Sequence, residues 1–319
     1  MKVISRLEDL VPEYVSPVVT MGNFDGVHLG HRRLIRNIVS RAEKIGGTPM
    51  ALTFYPHPLH VLVPNHAPMQ IQTLEQKLAV FESLGIHTTV VIPYDTRLAG
   101  ISARDFTLDV LYERLRIREV YVGPNFAFGY RRQGSITLLK EIGREKGFLA
   151  EKIPQVQFRG TRVSSTVVRQ TLLYGQVGLA RRMLACPFTL EGSVVHGAGM
   201  GTKLGIPTAN MQTANELIPR RGVYITRLQV DGRCLPGVTN IGFRPTVNSE
   251  KDAALSIETH ALDFNRDIYG KQMKLEFWNR LRDERRFADE KALIGGIQRD
   301  QENARRYFRR LDAIIGSCG

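Results

Sequence analysis

Two of the chain's eight histidines, His28 and His31, fall three residues apart in the stretch MGNFDGVHLGH (Met21–His31), directly after the apolar run VSPVVT. Gly22 and Gly26 let the backbone of this turn approach a ligand closely. A helix starting near His28 would present free N–H groups and the positive end of its dipole, which together make an anion site. Two imidazoles three residues apart on a first helical turn share one side. They could donate N–H groups to one polyphosphate, with Asn23, Phe24 and Asp25 forming the rest of the cradle. The same pair fits a metal pair or ordinary polar capping. A metal pair usually needs a third ligand, and none follows at ligand spacing.

Three further stretches carry residue types suited to phosphate chemistry. In RVSSTVVR (Arg162–Arg169) the hydroxyls of Ser164, Ser165 and Thr166 precede a helical pattern, and Arg169 follows. Hydroxyls and N–H groups at a helix start, with an arginine, suit phosphate oxygens. Arg169 alone reads equally as a surface helix residue. In VVHGAGMGTKLGIPTAN (Val194–Asn210), Gly199, Gly201 and Gly205 surround Lys203. Such a loop can fold over ATP phosphates through its backbone N–H groups, or be a mobile hairpin. It lacks the Gly-Lys-Ser/Thr of a Walker loop. In SIETHALDF, Glu258 is either an exposed pleat residue or a general base.

The elements that must hold these residues differ between the two halves. The first half alternates short apolar runs (SPVVTM, TPMALTF, TTVVIPY, REVYVG) with helical patterns over Leu29–Lys44, Leu74–Leu84, Ser102–Leu115 and SITLLKEIGREKG. SARD at Ser102 reads as a capping box. This alternation predicts a parallel sheet with helices on both faces, and ligands beyond the carboxyl ends of its strands. The second half reads PFTLEGSVVHG, GVYITRLQVDG, LPGVTNIG, ALSIETHALDF and QMKLEFWNRL, strand-like runs broken by Gly, Pro and Asp turns. Only the tail from Phe287 reads as a long helix. The pattern predicts a small antiparallel β-barrel with a C-terminal helix. The boundary falls near Ala185, giving domains 1–185 and 186–319.

Bulk composition agrees with an enzyme of this kind. The 319 residues suffice for two domains. The net charge is 44 − 31 = +13, which suits nucleic acid or several polyphosphate pockets. The basic residues are not gathered in a tail, and many stand beside acids, as in NRLRDERRFADEK. The N-terminus lacks the apolar centre of a signal peptide. No uncharged apolar run approaches the roughly 18 residues of a spanning helix. Cys186, Cys234 and Cys318 are widely spaced and odd in number, which argues against a disulfide framework. The expectations are a cytoplasmic chain with no membrane, nucleic acid or obligatory protein partner.

GNFDGVHLGH resembles the nucleotidylyltransferase signature, whose core is His-x-Gly-His, and RVSSTVVR resembles that family's Ser-Ser-Thr-x-x-Arg motif. FYPHP and VGPNFAFG resemble its flavin-specific branch. PTAN, followed in order by GVYITRL, PGVTNIGFRPTV, SIETHALDFNRDIYG and LRDERRF, resembles riboflavin kinase. The whole chain is thus similar to the bacterial bifunctional riboflavin kinases/FAD synthetases. The resemblance implies a Rossmann-like nucleotidylyltransferase domain followed by a barrel kinase domain. It implies that His28, His31 and Arg169 stabilise charge in adenylyl transfer, and that Glu258 is the kinase base. It implies that Tyr55, His57, Asn125, Phe126 and Phe128 meet flavin, and that Thr208 and Asn210 hold Mg²⁺ and nucleotide phosphate. Any single aromatic among these, taken alone, reads first as core packing. ATP, riboflavin and FMN would be the substrates, with FMN and FAD as products.

The family commonly carries Asp and Arg where this chain has Asn125 and Ala127. That leaves open a kinase whose N-terminal domain binds without adenylylating. Arg282 and Arg285 either touch phosphates or pair with Asp283 and Glu284.

Overall fold

The computed structural model describes residues 1–10, 14–197, 201, 205–243 and 255–316. The chain packs as two units, Met1–Val167 and Val168–Gly319.

The first unit holds six parallel strands: β1 (Lys2–Ile4), β2 (Val18–Met21), β3 (Pro49–Tyr55), β4 (Thr88–Pro93), β5 (Glu119–Val122) and β6 (Leu149–Lys152). Their spatial order is β1-β4-β3-β2-β5-β6. From β2 the chain winds outward through β3 and β4, then returns to lay β5 on the other side of β2. The order therefore reverses between β2 and β5, where ligands enter such sheets. The MGNFDG turn leaves β2 and the VGPNF loop leaves β5, so both open at this point.

Strand alternation divides the core in two. Val18, Ala51 and Tyr121 face one way, packing with Leu34, Ile35, Ile38 and Ala42 of α1 (Leu29–Ile45). Val19, Met50, Leu52, Val120 and Val122 face the other way, toward Val110, Leu139 and Ile142. Helices therefore cover both faces, as the strand-helix alternation requires. Short helices α2 (Pro58–Leu62), α3 (Leu74–Ser83), α4 (Thr96–Ala99) and α5 (Ala103–Asp105) follow in order. α5 runs on through a wider π-helical ladder over Phe106–Arg114, and α6 spans Ile136–Lys146.

The expected capping box at Ser102 is half formed. Ser102 Oγ accepts the Asp105 N–H at 3.0 Å, but the Asp105 carboxylate takes the Ser102 hydroxyl at 2.7 Å instead of reaching back to the backbone. The reciprocal box stands at Thr73 and Gln76, starting α3. A two-residue hairpin, β7 (Gln157–Phe158) and β8 (Thr161–Arg162), precedes α7 (Ser165–Leu173).

In the second unit, α8 (Val177–Leu184) leads into β9 (Phe188–Val195), β10 (Ala209–Thr213), β11 (Gly222–Val230), β12 (Arg233–Phe243), β13 (Leu255–Ala261) and β14 (Gln272–Arg282). They close a barrel in the order β10-β13-β12-β11-β14-β9, antiparallel throughout. Closure removes sheet edges. Five strands were legible in sequence. The sixth, β10, is short and polar (ANMQT) and hides inside the PTAN motif. The Thr226, Thr239 and Thr259 hydroxyls form a buried chain across β11, β12 and β13, at 2.8 and 2.9 Å.

The final helix α9 (Glu290–Gly316) lays Ala304 and Phe308 on Val223, Ile225, Val238 and Leu262. Arg282 fixes it by donating to both carboxylate oxygens of Asp300, the closest at 2.7 Å. The same guanidinium also donates to the Asp283 backbone carbonyl at 3.1 Å, but its ion pair is with Asp300. Arg285 lies over the Phe287 ring at 4.8 Å.

Candidate active sites

The turn after β2 is held in a conformation few side chains tolerate. Phe24, Gly26 and Val27 all have positive φ (50°, 81° and 34°). Phe24 is buried edge-on against Phe81 at 5.3 Å and His31 at 5.1 Å, which fixes the turn. Gly22 belongs to the same packing, since a Cβ there would lie 3.3 Å from the Phe24 ring. His28 is the N-cap of α1, its Nδ1 accepting the His31 N–H at 3.4 Å. A ring nitrogen that accepts must be unprotonated, so the His28 proton sits on Nε2 as a donor. The two imidazoles stack at 3.8 Å. Gly30 leaves room for this: a Cβ there would lie 3.1 Å from His28 Cε1. The His-x-Gly-His spacing thus has a packing cause.

Burial sets the electrostatics of the pair. It pushes His28 down to about 4. It holds His31 well below the usual imidazole range, with the charges of His28 and Lys77 adding to the effect. Both rings are neutral at pH 7 until an anion arrives, and an anion raises them. His31 Nδ1 is buried with no hydrogen-bond partner among the described residues. A polar atom left this way costs stability unless a ligand satisfies it.

The second motif reaches this turn through one bond. Ser165 Oγ donates to the Asp25 carbonyl at 2.8 Å, across 140 residues of sequence. Ser164 Oγ accepts the Val167 N–H at 3.4 Å, capping α7, and Thr166 is exposed on its first turn. Arg169 lies one turn beyond Ser165 on the same helix.

Of the flavin candidates, His57 is the best anchored. Its Nδ1 accepts the Leu59 N–H at 3.2 Å, and its Nε2 lies 3.0 Å from the Asn23 amide. Tyr55 is 55% exposed at the end of β3, and Asn125 is exposed after β5. Phe126 and Phe128 stack at 5.2 Å, but Phe128 is buried against Phe106. Phe126 is the partly open ring of the two, and Phe128 supports it from the core.

In the barrel, strand register builds the site. Glu258 on β13 pairs with Asn210 on one side and Asn240 on the other. Directly paired residues share a face, so three polar side chains form a row across β10, β13 and β12. Asn240 Nδ2 also donates to Glu284 Oε1 at 3.5 Å. Two glycines give close backbone approach to the row. A Cβ on Gly197 would lie 2.1 Å from Asn210 Nδ2, and one on Gly201 would lie 3.2 Å from Thr208 Oγ1. Gly201 O accepts the Ile206 N–H at 2.8 Å, and Gly205 has φ 70°. Gly199 and Lys203 lie outside the described residues.

His260, two residues along β13 from Glu258 and on the same face, borders a groove of about 710 Å³. Ile206, Pro207 and Phe264 give it apolar walls, and Ile294 and Gln298 of α9 close the far side. The volume and mixed lining suit a small-molecule site.

Comparisons with known proteins place both halves. Residues 12–167 match the FAD synthetase family model, and residues 184–308 match the riboflavin kinase model. A bifunctional riboflavin kinase/FMN adenylyltransferase of Pseudomonas fluorescens is 37% identical over 96% of this chain and 97% of its own length. The Escherichia coli K12 protein of the same name is 37% identical over 91% of this chain and 92% of its own. The chain belongs to the bifunctional riboflavin kinase/FMN adenylyltransferase family. A crystal structure described as a macrolide-efflux protein from Streptococcus pneumoniae shares the fold, with a TM-score of 0.86, 25% identity, and coverage of 95% and 98% of the two chains. Among the described residues of this family member, no helix is long and apolar enough to cross a membrane.

Three residues at these sites escaped the sequence reading. Asn240 and Glu284 stand in stretches already matched to riboflavin kinase, but only register sets Asn240 beside Glu258, and the bare Gly242 backbone leaves room for Glu284 next to Asn240. Lys77, in the unremarkable helix LEQKLAVF, donates to the Asn23 carbonyl at 2.8 Å. No local signal marks it.

Proposed function

We infer that the chain makes both flavin cofactors in two ATP-dependent steps. Riboflavin takes the γ-phosphoryl group of ATP, giving FMN and ADP. FMN then attacks the α-phosphorus of a second ATP, giving FAD and pyrophosphate. The reading rests above all on two contacts, one in each unit. Ser165 joins the His28 turn, and Glu258 stands between Asn210 and Asn240. Family models for both activities in one chain do not favour the binding-only alternative for the N-terminal unit.

For adenylyl transfer, His28 and His31 donate to the ATP phosphates, supported by Gly22–Gly26, the Ser164–Thr166 cap and Arg169. None of these groups forms a covalent intermediate. Alignment and charge stabilisation carry such reactions. Tyr55, His57, Asn125 and Phe126 receive FMN beyond β3 and β5, with Phe128 beneath them.

For phosphoryl transfer, Glu258 accepts the proton of the ribityl 5′-hydroxyl as that oxygen attacks. The adjoining groove takes the flavin ring. Thr208 and Asn210 would hold Mg²⁺. Neutral oxygen ligands beside close-packed glycine backbone fit a hard cation that keeps phosphate and water ligands. When bound, Mg²⁺ supplies charge neutralisation at the transferring phosphoryl group. Gly201 and Gly205 contribute to the loop over the phosphates.

We place the domain boundary near Ala185, giving 1–185 and 186–319. α7 and α8 bridge the interval that neither family model covers. Widely spaced cysteines and dependence on ATP support a cytoplasmic setting. One incubation with riboflavin, excess ATP and Mg²⁺ tests the whole reading. FMN should rise first and then give way to FAD. FMN without FAD would remove the N-terminal activity, and no turnover of riboflavin would remove both.

A further inference from the structure

Lys77 is 4% exposed, an uncommon place for a lysine, and burial outweighs the attraction of the nearby buried Asp25 carboxylate. Its ammonium makes one hydrogen bond among the described residues, to the Asn23 carbonyl at 2.8 Å. Two N–H groups are left over. Thr53 Oγ1 donates to the same carbonyl at 3.4 Å. Six residues earlier, the Ile71 N–H donates to Asp25 Oδ1 at 2.9 Å. The segment entering α3 therefore grips the turn at two points, Asn23 and Asp25, on either side of the left-handed Phe24. The capping box at Thr73 and Gln76 fixes where α3 begins, and hence where Lys77 stands.

A buried cation is a standing cost to the fold. Filling the space alone would be done better by methionine. Besides the Asp25 carboxylate, the turn beside this cation carries three features that suit an anion: the α1 N-terminus, the His28 donor and a His31 nitrogen with no hydrogen-bond partner among the described residues. We propose that Lys77 is a positioning residue for adenylyl transfer, clamping the Asn23 carbonyl and placing a fixed positive charge behind the phosphate turn. This rests on the adenylylation reading of that turn. Lys77 acts through the loop and through its field; the phosphate contacts belong to the turn.

The test uses the full chain and compares wild type with K77M, K77Q and H28A. FAD formation from supplied FMN and ATP, phosphorylation of riboflavin, and thermal unfolding are all measured. K77M should lose about 10-fold or more in kcat for FAD formation. Its Tm should stay close to that of wild type, because losing the desolvated cation offsets leaving the buried Asp25 carboxylate without its attraction. Riboflavin phosphorylation should be unchanged. K77Q, which keeps a donor but not the charge, should fall between K77M and wild type, and it decides the matter if K77M does not fold. Wild-type kcat in K77M, or in K77Q where K77M does not fold, would overturn the proposal, as would a kcat loss matched by a loss of Tm. If H28A also formed FAD at the wild-type rate, the adenylylation reading of the turn would itself fall. Full activity in K77M with an inactive H28A would remove Lys77 alone.

Discussion

His28 Nδ1 accepts the backbone N–H of His31 while the two imidazoles stack at 3.8 Å. One contact caps the helix and sets the His28 tautomer, leaving the proton on Nε2. Replacing His28 with alanine removes a preorganised donor and the cap together. FAD formation should fall by about 10²-fold or more in kcat, while riboflavin phosphorylation persists. Equal loss of both activities in folded protein, followed by separating the flavins over time, would contradict two independent sites.

Gly30 tests the same geometry without touching a donor. Alanine there should favour α1 by roughly 0.5–1 kcal/mol through backbone entropy. Its Cβ would meet His28 Cε1 at 3.1 Å and push the ring aside. The expected outcome is a Tm at or above wild type with kcat for FAD formation down about 10-fold, since small misplacements are costly in transfer reactions. Thermal unfolding and steady-state kinetics on G30A check both halves.

Glu258 makes the reverse prediction. E258A should lower riboflavin phosphorylation by about 10²-fold or more, and adenylylation of supplied FMN should survive. N240A, which removes a neighbour and not the base, should cost less. Measuring the two half-reactions separately decides this, and undiminished kinase turnover in E258A would take Glu258 out of the role.

Stability should depend on pH through His28. Its folded value is about 4 against 6.5 unfolded, so between those values the unfolded chain binds more protons. Stability therefore falls as pH drops from about 6.5 toward 4, by up to about 3 kcal/mol from this group. A bound polyphosphate should shrink the effect. Denaturant unfolding of wild type and H28A across this range, with and without ATP, reads it as a difference in slope.

Much of this molecule was legible residue by residue. Leu34, Ile35, Ile38 and Ala42 mark the buried face of α1, and the short apolar runs mark strands whose two faces both find helices. Glycines and hydroxyls before helix starts marked the phosphate turn and the α7 cap. These signals are local: helix periodicity, capping and left-handed backbone are properties of neighbouring residues.

What the local signal missed was decided by pairing across the fold. β10 is too short and polar to declare itself, and it is a strand because β9 and β13 leave it a place. Asn240 reaches Glu258 only through the β12–β13 register. Lys77 sits in a helix whose pattern would equally well leave it in solvent. Burial comes from where α3 lands against the turn, and the ammonium then takes the Asn23 carbonyl as partner. The amino-acid sequence by itself determined which segments become helices, strands and phosphate turns. Only the tertiary structure decided which distant side chains share a face or a buried charge, because those energies exist only once the segments meet.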